Sequence, residues 1–203
     1  GHARVVGMKP VAAGCDWVPG VDGHPGEWLN EDVAQLRAAS SLKVPSAFDN
    51  PYALPDAVSP HIAARNEGVV IDISHIEASF HALSQHTDAV VVEGAGGFIV
   101  PLHEAPGQFA TSADLATRLR LPVILVVGLR LGCLNHALLT QEAISRRGLT
   151  LAGWVANVID PDMPEQAGNL GTLQQQLQAP LLAHWAWAPE AASQTLALRL
   201  PQA

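Results

Sequence analysis

Charge is scarce in this chain. Only 15% of its 203 residues are Asp, Glu, Lys or Arg, against 48% hydrophobic. That balance excludes a disordered chain and a coiled coil, both of which need more charge. The length suits one domain, residues 1–203, around a single sizeable core. Long apolar runs are also missing. The longest, Val123 to Val127, lies between Pro122 and Gly128 and is soon followed by Arg130. It is far short of the roughly 18 residues of a membrane span, so no membrane partner is expected. No basic-then-apolar leader opens the chain. Cysteine is nearly absent, and Cys15 with Cys133 makes no disulfide framework. A cytoplasmic location is therefore expected. Positive charge is in deficit, and the net charge of −8 argues against nucleic acid as a partner. The nine histidines form no HExxH cluster, and no CxxC-type cluster accompanies them. They read as ordinary surface or core residues.

What is present is an alternation of elements. Ala89 to Val92, Val123 to Val127 and Leu151 to Val158 are short β-branched runs closed by turn residues, the pattern of buried parallel strands. Arg4 to Gly7 reads as another. Between them lie helix signals. Glu31 to Ala39 follows the capping residue Asn30. Ser59 caps a helix with Pro60 at its first position. Ser74 with Glu77, and Thr111 with Asp114, have the spacing of capping boxes. Asn135 to Arg147 runs to a stop at Gly148, and Leu170 to Leu177 makes a last amphipathic helix. The resulting fold class is α/β, an open, mostly parallel sheet with helices on both faces. In such sheets the chemistry gathers at the carboxyl ends of the strands.

Four strand ends carry candidates. After the first comes Lys9, between Gly7 and Gly14, either a compact cation for phosphate or carboxylate or a lysine in a surface turn. After the second comes Glu93-Gly94-Ala95-Gly96. Folding does not require a carboxylate there, and glycines bring backbone N–H groups close to a ligand. A metal-bridged phosphate suits that set, and a tight turn with a solvated glutamate is the alternative. Position 99 is Ile99, which breaks the dinucleotide fingerprint and weakens any nicotinamide reading. After the third, Gly132-Cys133-Leu134-Asn135 opens a helix whose N–H groups could receive a carboxylate, or Asn135 simply caps it. Cys133 has no placed base and reads as a buried thiol. After the fourth, Asn157 offers a donor and an acceptor that match an adenine edge, or it serves its own turn. Asp32, in the first turn of its helix, is a further candidate ligand or a partner of the helix dipole.

Together the stretches GMKPVAAG (7–14), NPYALPDAVSPH (50–61), VEGAGG (92–97), LPVILVVG (121–128), LGCLNH (131–136) and LTLAGWVAN (149–157) resemble the dethiobiotin synthetase family, in family order and over most of the chain. The resemblance implies a P-loop NTPase-type fold and a homodimer using ATP and Mg2+. It implies that 7,8-diaminononanoate and carbon dioxide are joined through a carbamate and a carbamic-phosphoric anhydride, followed by ureido-ring closure. By position Lys9 is the catalytic lysine, Asp32 and Glu93 are metal ligands, and Gly94, Ala95 and Gly96 lie near the phosphates. Asn157 reads the adenine. Trp187 falls in the base segment, where Ala186 replaces the usual proline. Ala13 stands where some relatives place a substrate-touching serine. Gly132, Cys133, Leu134 and Asn135 resemble the loop that holds the substrate carboxylate from the neighbouring subunit.

One departure is large. The family opens with a strand and a GTDTxVGKT loop, and no G-x-x-x-x-G-K-[ST] occurs in these 203 residues. The resemblance therefore predicts a chain missing its first strand and phosphate loop, and inactive or nearly so by itself. Two alternatives follow. One is an amide-forming relative such as a cobyrinic acid diamide synthase, whose usual glutamine-hydrolysing domain has no room here. The other is a non-catalytic dimeric remnant, which leaves Lys9, Glu93 and Asn157 unexplained.

Overall fold

The computed structural model describes residues 3–20 and 25–188. Its chain divides into two compact units, residues 1–119 and 120–203.

In the first unit, strand β1 (Val5–Met8) is followed by β2 (Val11–Ala13), β3 (Asp16–Val18) and β4 (Glu27–Leu29). Next come helices α1 (Glu31–Ala39) and α2 (Ser46–Asp49), strand β5 (Tyr52–Leu54), and helices α3 (Pro60–Asn66) and α4 (Ile73–Ser84). Strands β6 (Ala89–Val92), β7 (Pro101–Ala105) and β8 (Gln108–Thr111) and helix α5 (Ser112–Leu119) complete it. β1 pairs parallel with β6, and β2 with β5. β3–β4 and β7–β8 are antiparallel hairpins. The core gathers Val6, Met8, Val11, Leu54, Ile76, Leu83 and Leu102. Full burial of aliphatic side chains of this size is worth roughly 1.5–3 kcal/mol each.

In the second unit, β9 (Val123–Leu129), α6 (Cys133–Arg146), β10 (Leu151–Val158), α7 (Gln166–Gln176) and β11 (Leu181–Trp185) form a parallel ladder in the order β11–β10–β9. Trp154, wholly buried, packs with Val127, Leu129, Ala156 and Leu173. β10 is central and has little solvent on either side, so its sequence is a continuous apolar run without alternation.

The expected strands are all present, Ala89–Val92 and Leu151–Val158 to the residue. Helix α1 is as expected, with Asn30 Oδ1 accepting from the Asp32 N–H. Thr111 and Asp114 form the reciprocal cap. Three caps differ. Ser59 makes no capping bond, because its hydroxyl is taken by His61 Nδ1 at 3.0 Å. Asp72, rather than Ser74, caps α4 and accepts the Ser74 N–H at 2.8 Å, so the helix begins at Ile73 and Ser74 lies inside its first turn. Helix α6 starts at Cys133, which makes Asn135 helical and not a cap. Its N-cap is Gly132 at φ 94°, a left-handed conformation that a side chain would strain. Helix α7 begins four residues before the expected Leu170.

Candidate functional site

Register brings the first candidates together. β1 and β6 run parallel with Met8 opposite Val92, and the Glu93 N–H donates to the Met8 carbonyl at 2.8 Å. Lys9 and Glu93 thus leave adjacent strands side by side. Lys9 Nζ lies 2.7 Å from Glu93 Oε1 and 2.7 Å from Asp32 Oδ2, with the Gly94 carbonyl at 3.5 Å. Two of the three ammonium protons are firmly held and the third only loosely.

Asp32 reaches this point because α1 lies close on β1. A Cβ at Gly7 would come within 2.9 Å of Leu36 Cβ, so only glycine admits the helix at that depth. Asn30 fixes the start of α1, donating from Nδ2 to the Ala13 and Gly14 carbonyls at 3.2 and 3.3 Å. Ala13, the last residue of β2, therefore meets the site through its backbone.

The Lys9 peptide is itself clamped. Its N–H donates to the Asp49 carbonyl at 2.8 Å, and its carbonyl accepts Asn50 Nδ2 at 2.7 Å. Asp49 in turn receives Arg37 Nε and Nη2 at 2.9 and 2.8 Å, and Arg37 Nη1 reaches Glu27. Arg37, Asp49 and Asn50 carried no assigned role in the sequence reading. The available signal was an Asp-Asn pair before Pro51, too polar to be buried without a task.

The Lys9 side chain is 7% exposed, whereas Asp32 and Glu93 keep 52% and 44%. Burial pulls the ammonium's pKa down. The hydrogen bonds it donates to Asp32 and Glu93, with their negative charge, together outweigh it, and the net shift is upward. Lys9 is thus a fixed cation, suited to neutralising charge and unsuited to removing a proton.

The two carboxylates meet at the Lys9 ammonium and keep open faces. Among the described residues no third His, Cys, Asp or Glu joins them. A pair of hard oxygen donors fits Mg2+, which typically takes one or two carboxylates and completes its shell with phosphate and water. Beyond Glu93 the loop is open. A Cβ at Gly94 would meet nothing within 4 Å, which leaves room for a ligand against the backbone. Gly96 follows in the same exposed loop, and Ala95 is tucked against the core.

The remaining candidates belong to the second unit. Asn157 ends the paired part of β10, opposite Gly128 on one side and Trp185 on the other. Trp187 is 47% exposed just past β11. Gly132, Leu134 and Asn135 lie at the start of α6, and Cys133 is buried as expected. Cys15 is buried too, and burial pushes its thiol pKa up, so neither cysteine has the makings of a nucleophile.

Residues 2–195 match the family described as AAA domain, a P-loop NTPase-type domain. The chain is similar to a protein of Aromatoleum aromaticum named ATP-dependent dethiobiotin synthetase BioD, 55% identical over 97% of this chain and 84% of that protein. Proteins of the same name from Xanthomonas oryzae pv. oryzae and Janthinobacterium sp. are 45% and 47% identical, over 100% and 88% of this chain and 86% and 73% of theirs. Matched at this level over nearly its whole length, the chain belongs to the dethiobiotin synthetase family.

Proposed function

We propose that the protein closes the ureido ring of dethiobiotin, using ATP, carbon dioxide and 7,8-diaminononanoate. The observation that carries this reading is the buried Lys9 ammonium held 2.7 Å from each of two exposed carboxylates, Glu93 at the neighbouring strand end and Asp32 in the first turn of α1.

One substrate amine adds to carbon dioxide and loses a proton, giving a carbamate. A carbamate oxygen attacks the γ-phosphorus and ADP leaves. The second amine attacks the carbamoyl carbon, phosphate leaves carrying away the proton the amine loses, and the ring is closed. Every species along this route before phosphate departs is anionic, so a permanent cation contributes more than a base does. Lys9 supplies it. Its backbone, clamped by Asp49 and Asn50, fixes where the charge sits, and the loosely held third proton is available to an incoming oxygen. Asp32 and Glu93 would hold Mg2+, which when bound spreads charge from the triphosphate. Gly94, Ala95 and Gly96 flank the phosphates, Asn157 reads the adenine edge, and Trp187 lies beside the base. The α6 start, Gly132 to Asn135, and Ala13 face the diamine in this reading, with the α6 segment acting across a homodimer interface. A cytoplasmic setting accords with this substrate set, and no helix among the described residues is long and apolar enough to cross a membrane.

The decisive assay follows phosphate release and dethiobiotin by mass spectrometry, with ATP, Mg2+, bicarbonate and the diamine each omitted in turn. With the family's opening strand and phosphate loop present, product is expected only with all four; the 203 residues alone are expected to give little or none. Phosphate release that ignores the diamine would mean a plain ATPase and end this reading.

A further inference from the structure

In the second unit one buried donor has nothing to bond. The indole Nε1 of Trp185 is buried and has no hydrogen-bond partner, and no other buried side-chain nitrogen or oxygen among the described residues is left this way. An orphan N–H of this kind destabilises the free protein, and native structures rarely keep one without a use. Its place in the sheet is informative. Trp185 is the register partner of Asn157 on the neighbouring parallel strand, so the two side chains project from the same face. The Asn157 amide also has no hydrogen-bond partner among the described residues. On its other side Asn157 faces Gly128, and Ile159 Cδ1 lies 2.6 Å from where a Gly128 Cβ would be. Ile159 is itself exposed, as is Trp187 two residues beyond Trp185. A buried, unpaired indole N–H beside a half-exposed amide on one face, with exposed apolar side chains at the adjacent strand ends, has the features of a site for a flat heteroaromatic ring.

We propose that Trp185 is a base-reading residue, its Nε1–H donating to a ring nitrogen of the nucleotide's purine while Asn157 engages another edge. The inference rests on the adenine-reading role of Asn157 proposed above. It adds a donor where an aliphatic side chain could only pack, and it selects for purines that present an acceptor at that position.

Trp185→Phe removes the donor and keeps an aromatic ring. The measurement is calorimetric binding of Mg-ATP to the intact protein, with thermal unfolding of the nucleotide-free form run in parallel. Loss of one neutral hydrogen bond should weaken ATP binding about three- to tenfold. Unfolding of the free variant should occur at the wild-type temperature or higher, because no bond is lost there. On the wild-type protein, one of 1-deaza-, 3-deaza- and 7-deaza-ATP should reproduce the same loss, and Trp185→Phe should no longer discriminate against that analogue. Unchanged ATP affinity in Trp185→Phe, with a lowered unfolding temperature, makes the indole purely structural and overturns the proposal. Asn157→Ala separates the two readings. If it weakens ATP binding and Trp185→Phe does not, only the tryptophan assignment falls. If wild-type protein fails to bind ATP, both fall.

Discussion

The two units prepare for a ligand in opposite ways. In the first, Lys9 and Glu93 at strand ends and Asp32 at the start of α1 satisfy one another, and the lysine's peptide is held at both its donor and its acceptor. At the strand ends of the second, Asn157 and the Trp185 indole are left unpaired. The contrast follows from what an unpaired group costs. A buried ammonium without a counter-ion would lose its proton or unfold its surroundings, whereas an unpaired amide or indole N–H costs about 1–3 kcal/mol. Charged groups must therefore be pre-assembled with stand-in partners, and neutral readers can wait. Rate should depend on the first unit and nucleotide choice on the second.

The strongest way to break this contrast is Lys9→Met. It removes the only cation between two carboxylates, and kcat should fall about 10²–10³-fold, the range for losing one charge-stabilising donor. A kcat within threefold of wild type, measured by phosphate release at saturating ATP, would place the catalytic charge elsewhere.

A smaller effect is expected from Asn50→Ala, which leaves the Lys9 carbonyl buried without its donor. Denaturant unfolding should register a loss of about 1–3 kcal/mol, and kcat should drop with KM for ATP unchanged. If KM rises instead, the clamp serves nucleotide binding and the division between the units is blurred.

The smallest effect lies away from both sites. Asp88 accepts Arg4 Nη2 at 2.7 Å and the Arg4 N–H at 2.9 Å, tying the start of β1 to the approach to β6. The side-chain bond first, then the backbone bond, lower its pKa from 3.8 to about 2. Its folded-state pKa is depressed, so its stabilisation is full above the unfolded value and is lost as pH falls from about 4 through about 2. In Asp88→Asn the slope of unfolding free energy with pH should flatten within that window and stay unaltered near neutrality. Parallel slopes for the two proteins throughout would show that the tie contributes nothing.

How far the sequence could be read depended on how local each determinant was. The strands and α1 were legible because β-branched runs bounded by glycine or proline, and an asparagine cap, are encoded within a few residues. Lys9 and Glu93 were visible as polar residues at strand ends and Asp32 as an acid in the first turn of α1, and the family resemblance assigned their roles. Their shared meeting point depends on the β1–β6 register and on Gly7 admitting Leu36, which no short window contains. The β3–β4 hairpin was missed because its strands are only three residues each, too short to show a period, and the ring pair that holds them, Trp17 and Trp28 at 5.5 Å, lies eleven positions apart, although Pro19-Gly20 and Asp22-Gly23 mark a turn between them. The caps on α3 and α4 went astray where a nearby side chain took the bond, His61 that of the Ser59 hydroxyl and Asp72 that of the Ser74 N–H. The Arg37–Asp49 pair joins positions twelve apart on different helices, and no periodicity announces it.

The trio in the first unit holds one positive and two negative charges. A naked triphosphate would meet more repulsion from such a trio than one chelated to a divalent cation, which carries two fewer negative charges and brings a partner for the two carboxylates. On the proposed function, the trio would favour metal-chelated nucleotide, and free nucleotide in excess over metal should act as a poor ligand.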